Sequence, residues 1–247
     1  MRSNSTWAAF GTLPGGDEDS VQSLIPRALG YLSEQDQTTF RKKFSEQSED
    51  DHQAMHTFRE LLVGVFMARQ EYTPRYEPNI GGLKPDWHFQ SDGQDEFIAD
   101  VVNFHVERKV EARIDRALNE GQMWSGVIPD QLQRLHSSLW DKASKYKNLA
   151  TQKGVPYVVF IFGWMNAVVQ SHQVEACLLL ADGLFHNYPT LSGVYHMYEK
   201  GDYRLRDSTA GYRFDYCANP KATYPAPWLT NGALPYRFPA CSDQPSA

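Results

Sequence analysis

The pattern of apolar and polar positions alternates between helical and strand periodicity along most of the chain. Apolar residues three and four positions apart predict helices, and alternating or near-continuous apolar runs predict strands. The predicted helices cover 21–44, 52–70, 105–121, 131–153 and 172–184. The predicted strands cover 71–76, two hairpin arms within 84–104, and then 155–164, 191–199 and 212–217. This alternation is typical of an α/β fold, which we expect to have a central mixed sheet of about five strands with helices on both faces.

Local signals refine this pattern at several points. Ser33 follows a break in the first helical stretch and is expected to cap the next helix through its side-chain oxygen. Gly154 is expected to end the helix that precedes it. The strand over 212–217 is expected at the edge of the sheet, and residues 218–247, rich in proline and aromatic side chains, are expected to have little regular structure.

The predicted hairpin carries the chemistry that distinguishes this chain. An Asp-Gly pair at 92–93 between two apolar runs is a strong signal for a tight turn. The first arm carries Asp86 and the second carries Asp100, so the hairpin brings two carboxylates to neighbouring strand positions. Glu60, on the preceding helix, offers a third. Three converging carboxylates suit a hard cation such as Mg²⁺, and hydrolysis of phosphodiesters is a common use of such a site.

These elements resemble the PD-(D/E)xK nuclease superfamily, which has the restriction-endonuclease-like fold. The family core is a helix with a Glu, then a strand with Pro-Asp, then a strand with Asp or Glu, any residue, and Lys. Glu60, Pro85-Asp86 and Asp100 match the acids of this pattern. Position 102 is Val where the family has a lysine that polarises the attacking water or the scissile phosphate. The resemblance covers residues 52–228 and includes a downstream run similar to divergent bacterial members.

The helix after the hairpin offers a replacement for the missing lysine. Some members of the exonuclease branch carry Gln-x-x-x-Tyr on this helix, and the run from Lys142 to Tyr146 is similar with Lys in place of Gln. Divergent members supply the lysine from this helix, so the resemblance implies that Lys142 is the migrated lysine, with Lys145 as second choice. Tyr146, and His88 on the same side of its strand as Asp86, are candidates to support the site.

The resemblance implies a metal-dependent nuclease that hydrolyses phosphodiester bonds of DNA. Asp86, Asp100 and Glu60 would bind Mg²⁺ or Mn²⁺, and Lys142 would stabilise the charge of the transition state. DNA is favoured over RNA as the polymer, and a homodimer is in keeping with such nucleases. Val102 favours an alternative, which is an inactive member that keeps the fold and binds nucleic acid or a protein partner.

Composition and the remaining motifs bound these hypotheses. The 247 residues suffice for one sizeable domain, predicted over 51–228, with a flexible or helical extension over 1–50 and an irregular tail over 229–247. No apolar run reaches the length of about 18 residues that a membrane span needs. The net charge of −6 disfavours a large non-specific nucleic-acid surface.

Cysteine and histidine positions give no competing site. Three widely spaced cysteines favour neither a disulfide framework nor a zinc site, and a reducing cytoplasm is the simplest compartment. His52, His56 and Glu60 are spaced to share a helix face, but the HExxH pattern of zinc peptidases is absent. The P-loop, GxSxG and GxGxxG motifs are absent as well, which removes the usual support for three other enzyme classes.

Overall fold

The computed structural model describes residues 21–47, 49–104, 108–121, 131–163, 171–200, 211–235 and 238. Within these ranges the helices are α1 (Val21–Leu29), α2 (Glu34–Gln47), α3 (Asp51–Ala68), α4 (Arg108–Asn119), α5 (Gln131–Lys153), α6 (Ser171–Leu179) and α7 (Leu184–Asn187). The strands are β1 (Tyr72–Tyr76), β2 (Trp87–Ser91), β3 (Glu96–Phe104), β4 (Tyr157–Gly163), β5 (Leu191–Lys200), β6 (Gly211–Ala218) and β7 (Gly232–Pro235). His105 and the region 122–130 lie outside the described residues.

All seven strands form one mixed sheet in which the spatial order follows the chain order. The pairs β1–β2 and β2–β3 are antiparallel, β3–β4 and β4–β5 are parallel, and β5–β6 and β6–β7 are antiparallel. Helices α4 and α5 lie in the first parallel connection, and α6 and α7 lie in the second, because parallel neighbours need a crossover. The predicted α/β class with a mixed sheet is confirmed, but the sheet has seven strands rather than the predicted five or so.

Apolar side chains of β3 and β4 alternate between two cores, one on each face of the sheet. Ala99 and Val101 belong to the core that includes residues of α1, α2 and α3. Ile98 and Val102 belong to the core that includes residues of α5, α6 and α7. Because the side-chain period of a strand is two, each central strand contributes to both cores. Helices therefore cover both faces of the sheet, as predicted.

The hairpin and both helix caps follow the sequence signals. The Gln94 amide donates to the Ser91 carbonyl at 3.2 Å, which closes the turn between β2 and β3. Gln94, rather than the glycine beside it, adopts the left-handed conformation with φ 73°. The Asp36 amide donates to Ser33 Oγ at 3.2 Å, so Ser33 caps α2 as predicted. Gly154 follows the end of α5 with φ 67°, as expected for a glycine at this position.

One prediction about the far end of the sheet is wrong. β6 is an interior strand, because β7 pairs with it antiparallel and forms the edge. The described part of 218–247 has little regular structure, as expected, apart from the end of β6 and the strand β7, whose four residues are too few for a period to be read. Gly232 lets this strand approach α3 closely, because a Cβ there would lie 2.6 Å from the Phe66 ring. No helix within the described ranges has both the length and the apolar composition needed to cross a bilayer.

Candidate metal centre

Three acids lie side by side where β1, β2 and β3 meet. The β2–β3 register places Asp86, which immediately precedes β2, beside Asp100. The Glu77 amide, just after β1, donates to the Asp86 carbonyl at 3.0 Å, which adds a third position to the row. Asp86 Oδ2 accepts a hydrogen bond from the Val101 amide at 2.8 Å and is thereby fixed against the hairpin. The antiparallel ladder therefore aligns the carboxylates.

Glu60 reaches this row from α3 and is fully buried. Its carboxylate accepts hydrogen bonds from Lys43 Nζ at 2.8 and 3.0 Å and from the Tyr76 hydroxyl. His56, one helical turn earlier, places Nε2 3.0 Å from Glu60 Oε1. Burial raises the pKa of the Glu60 carboxyl, but the hydrogen bond from His56 and the charge of Lys43 outweigh burial and lower the pKa to about 2. Glu60 is therefore ionised at neutral pH.

Lys43, on α2, joins two of the acids. Its Nζ lies 2.6 Å from Glu77 Oε1 in addition to its contacts with Glu60. Burial lowers the pKa of Lys43, but the charges of Glu60 and Asp86 raise it above its ordinary value. The ammonium therefore stays charged, and a cation that bound between Glu60 and Glu77 would have to displace it.

Lys142 reaches the opposite side of the acid row from α5. Its Nζ lies 2.5 Å from Asp100 Oδ1 and 3.7 Å from Asp86 Oδ2. Tyr157 donates its hydroxyl to Asp100 Oδ2 at 3.4 Å. Burial lowers the pKa of Lys142, but the charges of Asp86 and Asp100 raise it above its ordinary value. Lys142 is thus held as an ammonium between the two hairpin carboxylates.

The hairpin carboxyls are poised to take up protons. Burial and the neighbouring Asp86 charge raise the pKa of Asp100 to about 7. Burial and the charge of Glu60 also raise the pKa of Asp86. Strong perturbation of carboxyl groups by burial and like charge is characteristic of functional sites. A bound cation would favour the ionised forms of both groups, because it would replace the proton as the partner of the negative charge.

Carboxylate oxygens of Glu60, Glu77 and Asp86 lie within 4.8 Å of one another, close enough to share one metal ion. Oxygen ligands of this kind fit Mg²⁺ or Mn²⁺. Two of the three were predicted as ligands, and Glu77 joins them. Asp100, the other predicted ligand, pairs with Lys142, which also approaches Asp86. Four carboxylates and two ammonium groups leave two negative charges when all six are ionised.

Val102 stands where the resemblance described above would place a lysine. It lies on the same strand face as Asp100 but belongs to the apolar core that includes Leu139 and Ala143 of α5. A lysine at this position would extend into that core, where an unpaired charge is costly. Lys142, from the same helix as Leu139 and Ala143, brings an ammonium to Asp100 instead.

The remaining predicted residues lie at different distances from the acids. His88 places Nε2 2.7 Å from Glu96 Oε1 across the hairpin, so its imidazole is engaged away from the row. The buried Tyr146 donates its hydroxyl to the Lys84 carbonyl at 2.7 Å. Burial, and to a smaller extent the negative charge of Asp100, raise the pKa of the Tyr146 hydroxyl. Lys145 Nζ lies 4.7 Å from the centre of the Tyr146 ring.

Sequence reasoning missed Lys43, Glu77 and Tyr157. Lys43 falls in a charged helix whose pattern shows no sign of a partly buried lysine. Glu77 lies in a loop before a proline, and its φ of 44° becomes visible only in the fold. Tyr157 begins a buried strand, and a buried tyrosine hydroxyl usually needs a polar partner, which is a weak signal that was available.

Comparison with family models, with curated proteins and with solved structures finds no match to this chain.

Proposed function

We propose that this protein is a metal-dependent nuclease with a restriction-endonuclease-like core that hydrolyses phosphodiester bonds of DNA. The observation that carries the proposal is the position of Lys142, whose Nζ lies 2.5 Å from Asp100 Oδ1 and 3.7 Å from Asp86 Oδ2. A lysine 42 residues further along the chain thus meets the acids of a Pro-Asp hairpin that lacks its own lysine.

The energetics of burial support a chemical role for these groups. Buried ion pairs are often no more stabilising than apolar residues of the same volume, because desolvation offsets the attraction between the charges. Glu60 and Asp100 are fully buried, and Asp86 is 9% exposed. A network that raises the pKa of two carboxyls is a poor structural solution, but it suits a centre that binds a cation and moves protons.

Each side chain then has a distinct role. Glu60, Glu77 and Asp86 would hold Mg²⁺ or Mn²⁺, which when bound supplies Lewis-acid stabilisation of the phosphate oxygens. Lys142 holds a positive charge where negative charge develops on the phosphate. Asp100, whose carboxylate a bound cation would keep ionised, is the candidate general base for the attacking water.

Cleavage of plasmid and single-stranded DNA with Mg²⁺ or Mn²⁺ tests the proposal. We expect the wild type to cleave with metal and to be inactive with EDTA. Asp86→Asn and Lys142→Ala should each lose about 100-fold or more in rate, the usual cost of removing one preorganised electrostatic group. Lys147→Ala, which changes an exposed lysine of the same helix, is the matched control and should retain activity. A folded wild type that cleaves neither substrate with either metal would overturn the proposal.

A second candidate is an inactive module that binds nucleic acid or a protein. Lys43 and Lys142 each pair with one of the acids and neutralise part of their charge, and this observation favours it. Titration with Mn²⁺ separates the two candidates. Binding that is lost in Glu60→Gln supports the nuclease, and absence of binding at neutral and alkaline pH supports the inactive module.

A further inference from the structure

A polar cavity of about 490 Å³ lies between α2, the end of β1 and the loop that leads to the hairpin. Its wall includes Gln35 from α2, Arg75 and Glu77 from the β1 end, and Asn79 and Lys84 from the loop. Ligand pockets in proteins have volumes of about 300–1,000 Å³, so this cavity takes a molecule the size of a single nucleotide.

The cavity adjoins the acid centre through two shared residues. Tyr76 lines the cavity and donates its hydroxyl to Glu60. Glu77 lines it as well and contacts Lys43 at 2.6 Å. A ligand in the cavity is therefore one side chain away from the carboxylates that would hold the metal. A nucleotide bound in the cavity would therefore lie next to the phosphodiester that reacts at these carboxylates.

The cationic groups of the wall have capacity for an anion. The Lys84 side chain has no ion-pair or hydrogen-bond partner among the described residues. Arg75 is 55% exposed, and its Nε lies 3.8 Å from Asp36 Oδ2. Asp36 already accepts hydrogen bonds from the Ser33 hydroxyl and the Tyr76 amide. Lys84 and Arg75 are consequently the groups of this wall that can hold a phosphate.

Amide groups supply the remaining chemistry of the wall. Asn79 Oδ1 accepts a hydrogen bond from the Gly82 amide at 3.1 Å, which leaves its NH₂ group as a donor toward a ligand. Gln35 is exposed and offers both a donor and an acceptor. Neutral groups of this kind hydrogen-bond the edge of an unpaired base, and a base in a duplex has its pairing edge occupied.

We propose that this cavity binds one unpaired nucleotide next to the scissile phosphodiester, so that the substrate is a single-stranded end or flap. The phosphate lies on Lys84 and Arg75, and the base edge faces Gln35 and Asn79. The inference rests on the proposed nuclease function and specifies its substrate class.

Fluorescence anisotropy in EDTA, where metal-dependent cleavage is blocked, measures binding of a labelled single-stranded oligonucleotide and of a blunt duplex with the same sequence. We expect the single strand to bind more tightly than the duplex. Lys84→Ala should weaken single-strand binding about tenfold and reduce the salt slope by about one. Lys109→Ala removes an exposed lysine outside the cavity wall and should leave the Kd unchanged. Circular dichroism confirms that the variants are folded.

The outcomes distinguish this inference from the proposed function. Tighter binding of the blunt duplex, or equal losses in Lys84→Ala and Lys109→Ala, would overturn the nucleotide subsite even if the wild type cleaves DNA. Single-strand binding that depends on Lys84, together with no cleavage under any metal condition, would support the subsite and overturn the nuclease.

Discussion

The ammonium of Lys142 on α5 lies 2.5 Å from the fully buried carboxylate of Asp100 on β3. The contact joins β3 to the second of the two helices in the parallel crossover between β3 and β4. It brings a positive charge from a helix to a strand whose next two residues after the acid, Val101 and Val102, are apolar. The pair is therefore built by tertiary structure, and its consequences for stability and pH dependence are measurable.

Lys142→Met is expected to destabilise the fold. It would leave Asp100 and Asp86 buried without the ammonium that faces both, and breaking a buried pair from one side costs about 3–5 kcal/mol. Urea denaturation at pH 8 measures the loss. Lys147→Met, an exposed lysine on the same helix, should change the free energy of unfolding by less than about 0.5 kcal/mol. Equal effects of the two variants would contradict the prediction.

Asp100 should make the metal-free protein less stable as pH rises. Its pKa is raised from 3.8 to about 7, so the folded state binds the proton more tightly than the unfolded state does. The contribution of Asp100 to the free energy of unfolding is fully present below about pH 4 and is lost as pH rises to about 7. Asp86, whose pKa is also raised, acts in the same direction.

Asp100→Asn isolates this effect. Between about pH 5 and pH 8 the free energy of unfolding should fall less steeply in the variant than in the wild type. Glu60 does not affect this comparison, because its pKa is lowered from 4.5 to about 2. Its stabilising contribution is lost only as pH falls from 4.5 to about 2, which lies below the compared pH range. Identical slopes for wild type and variant would refute the role of Asp100.

Glu60→Gln and Glu77→Gln should each weaken Mn²⁺ binding at pH 8. Each substitution removes one carboxylate of the group that lies within 4.8 Å and keeps the size of the side chain. We expect the Kd from isothermal titration to rise by at least about tenfold. Glu96→Gln makes the same chemical change at the β3 end of the hairpin, beside His88, and should leave the Kd unaltered.

Gln94→Gly should stabilise the hairpin. Gln94 has φ 73°, which costs energy for a residue with a Cβ and little for glycine. We expect a gain of up to about 1 kcal/mol in thermal or urea unfolding. Gly93→Ala should be close to neutral, because Gly93 has no positive φ and the nearest atom to an added Cβ is Ser91 Oγ at 3.6 Å. The opposite ranking of the two variants would show that the turn differs from the one described.

The parts of the site that could be predicted are those encoded by local pattern. Asp86 and Asp100 belong to one hairpin, and its Asp-Gly turn and apolar runs predict their meeting. Glu60 lies on a helix before that hairpin, and Lys142 lies on a helix after it. The family resemblance suggested both residues, and the structure places both beside the acids.

The remainder depends on contacts that no local pattern encodes. Lys43 meets Glu60 across 17 residues because α2 packs on α3, and its helix is mostly polar in sequence. Glu77 turns toward the centre through an uncommon backbone conformation rather than through a motif. β7 has four residues, and its pairing with β6 is a contact between segments that carry no motif.

The placement of Lys43 makes the acid centre depend on a helix that lies well before the hairpin along the chain. Glu60 is fully buried and receives its ammonium from a helix that ends at Gln47. A shortened protein that starts after α2 would keep every acid of the hairpin and lose the cation that neutralises Glu60. Trimming the amino-terminal segment for crystallisation or fusion would therefore alter the electrostatics of the centre itself, and the centre is complete only once this early helix has docked.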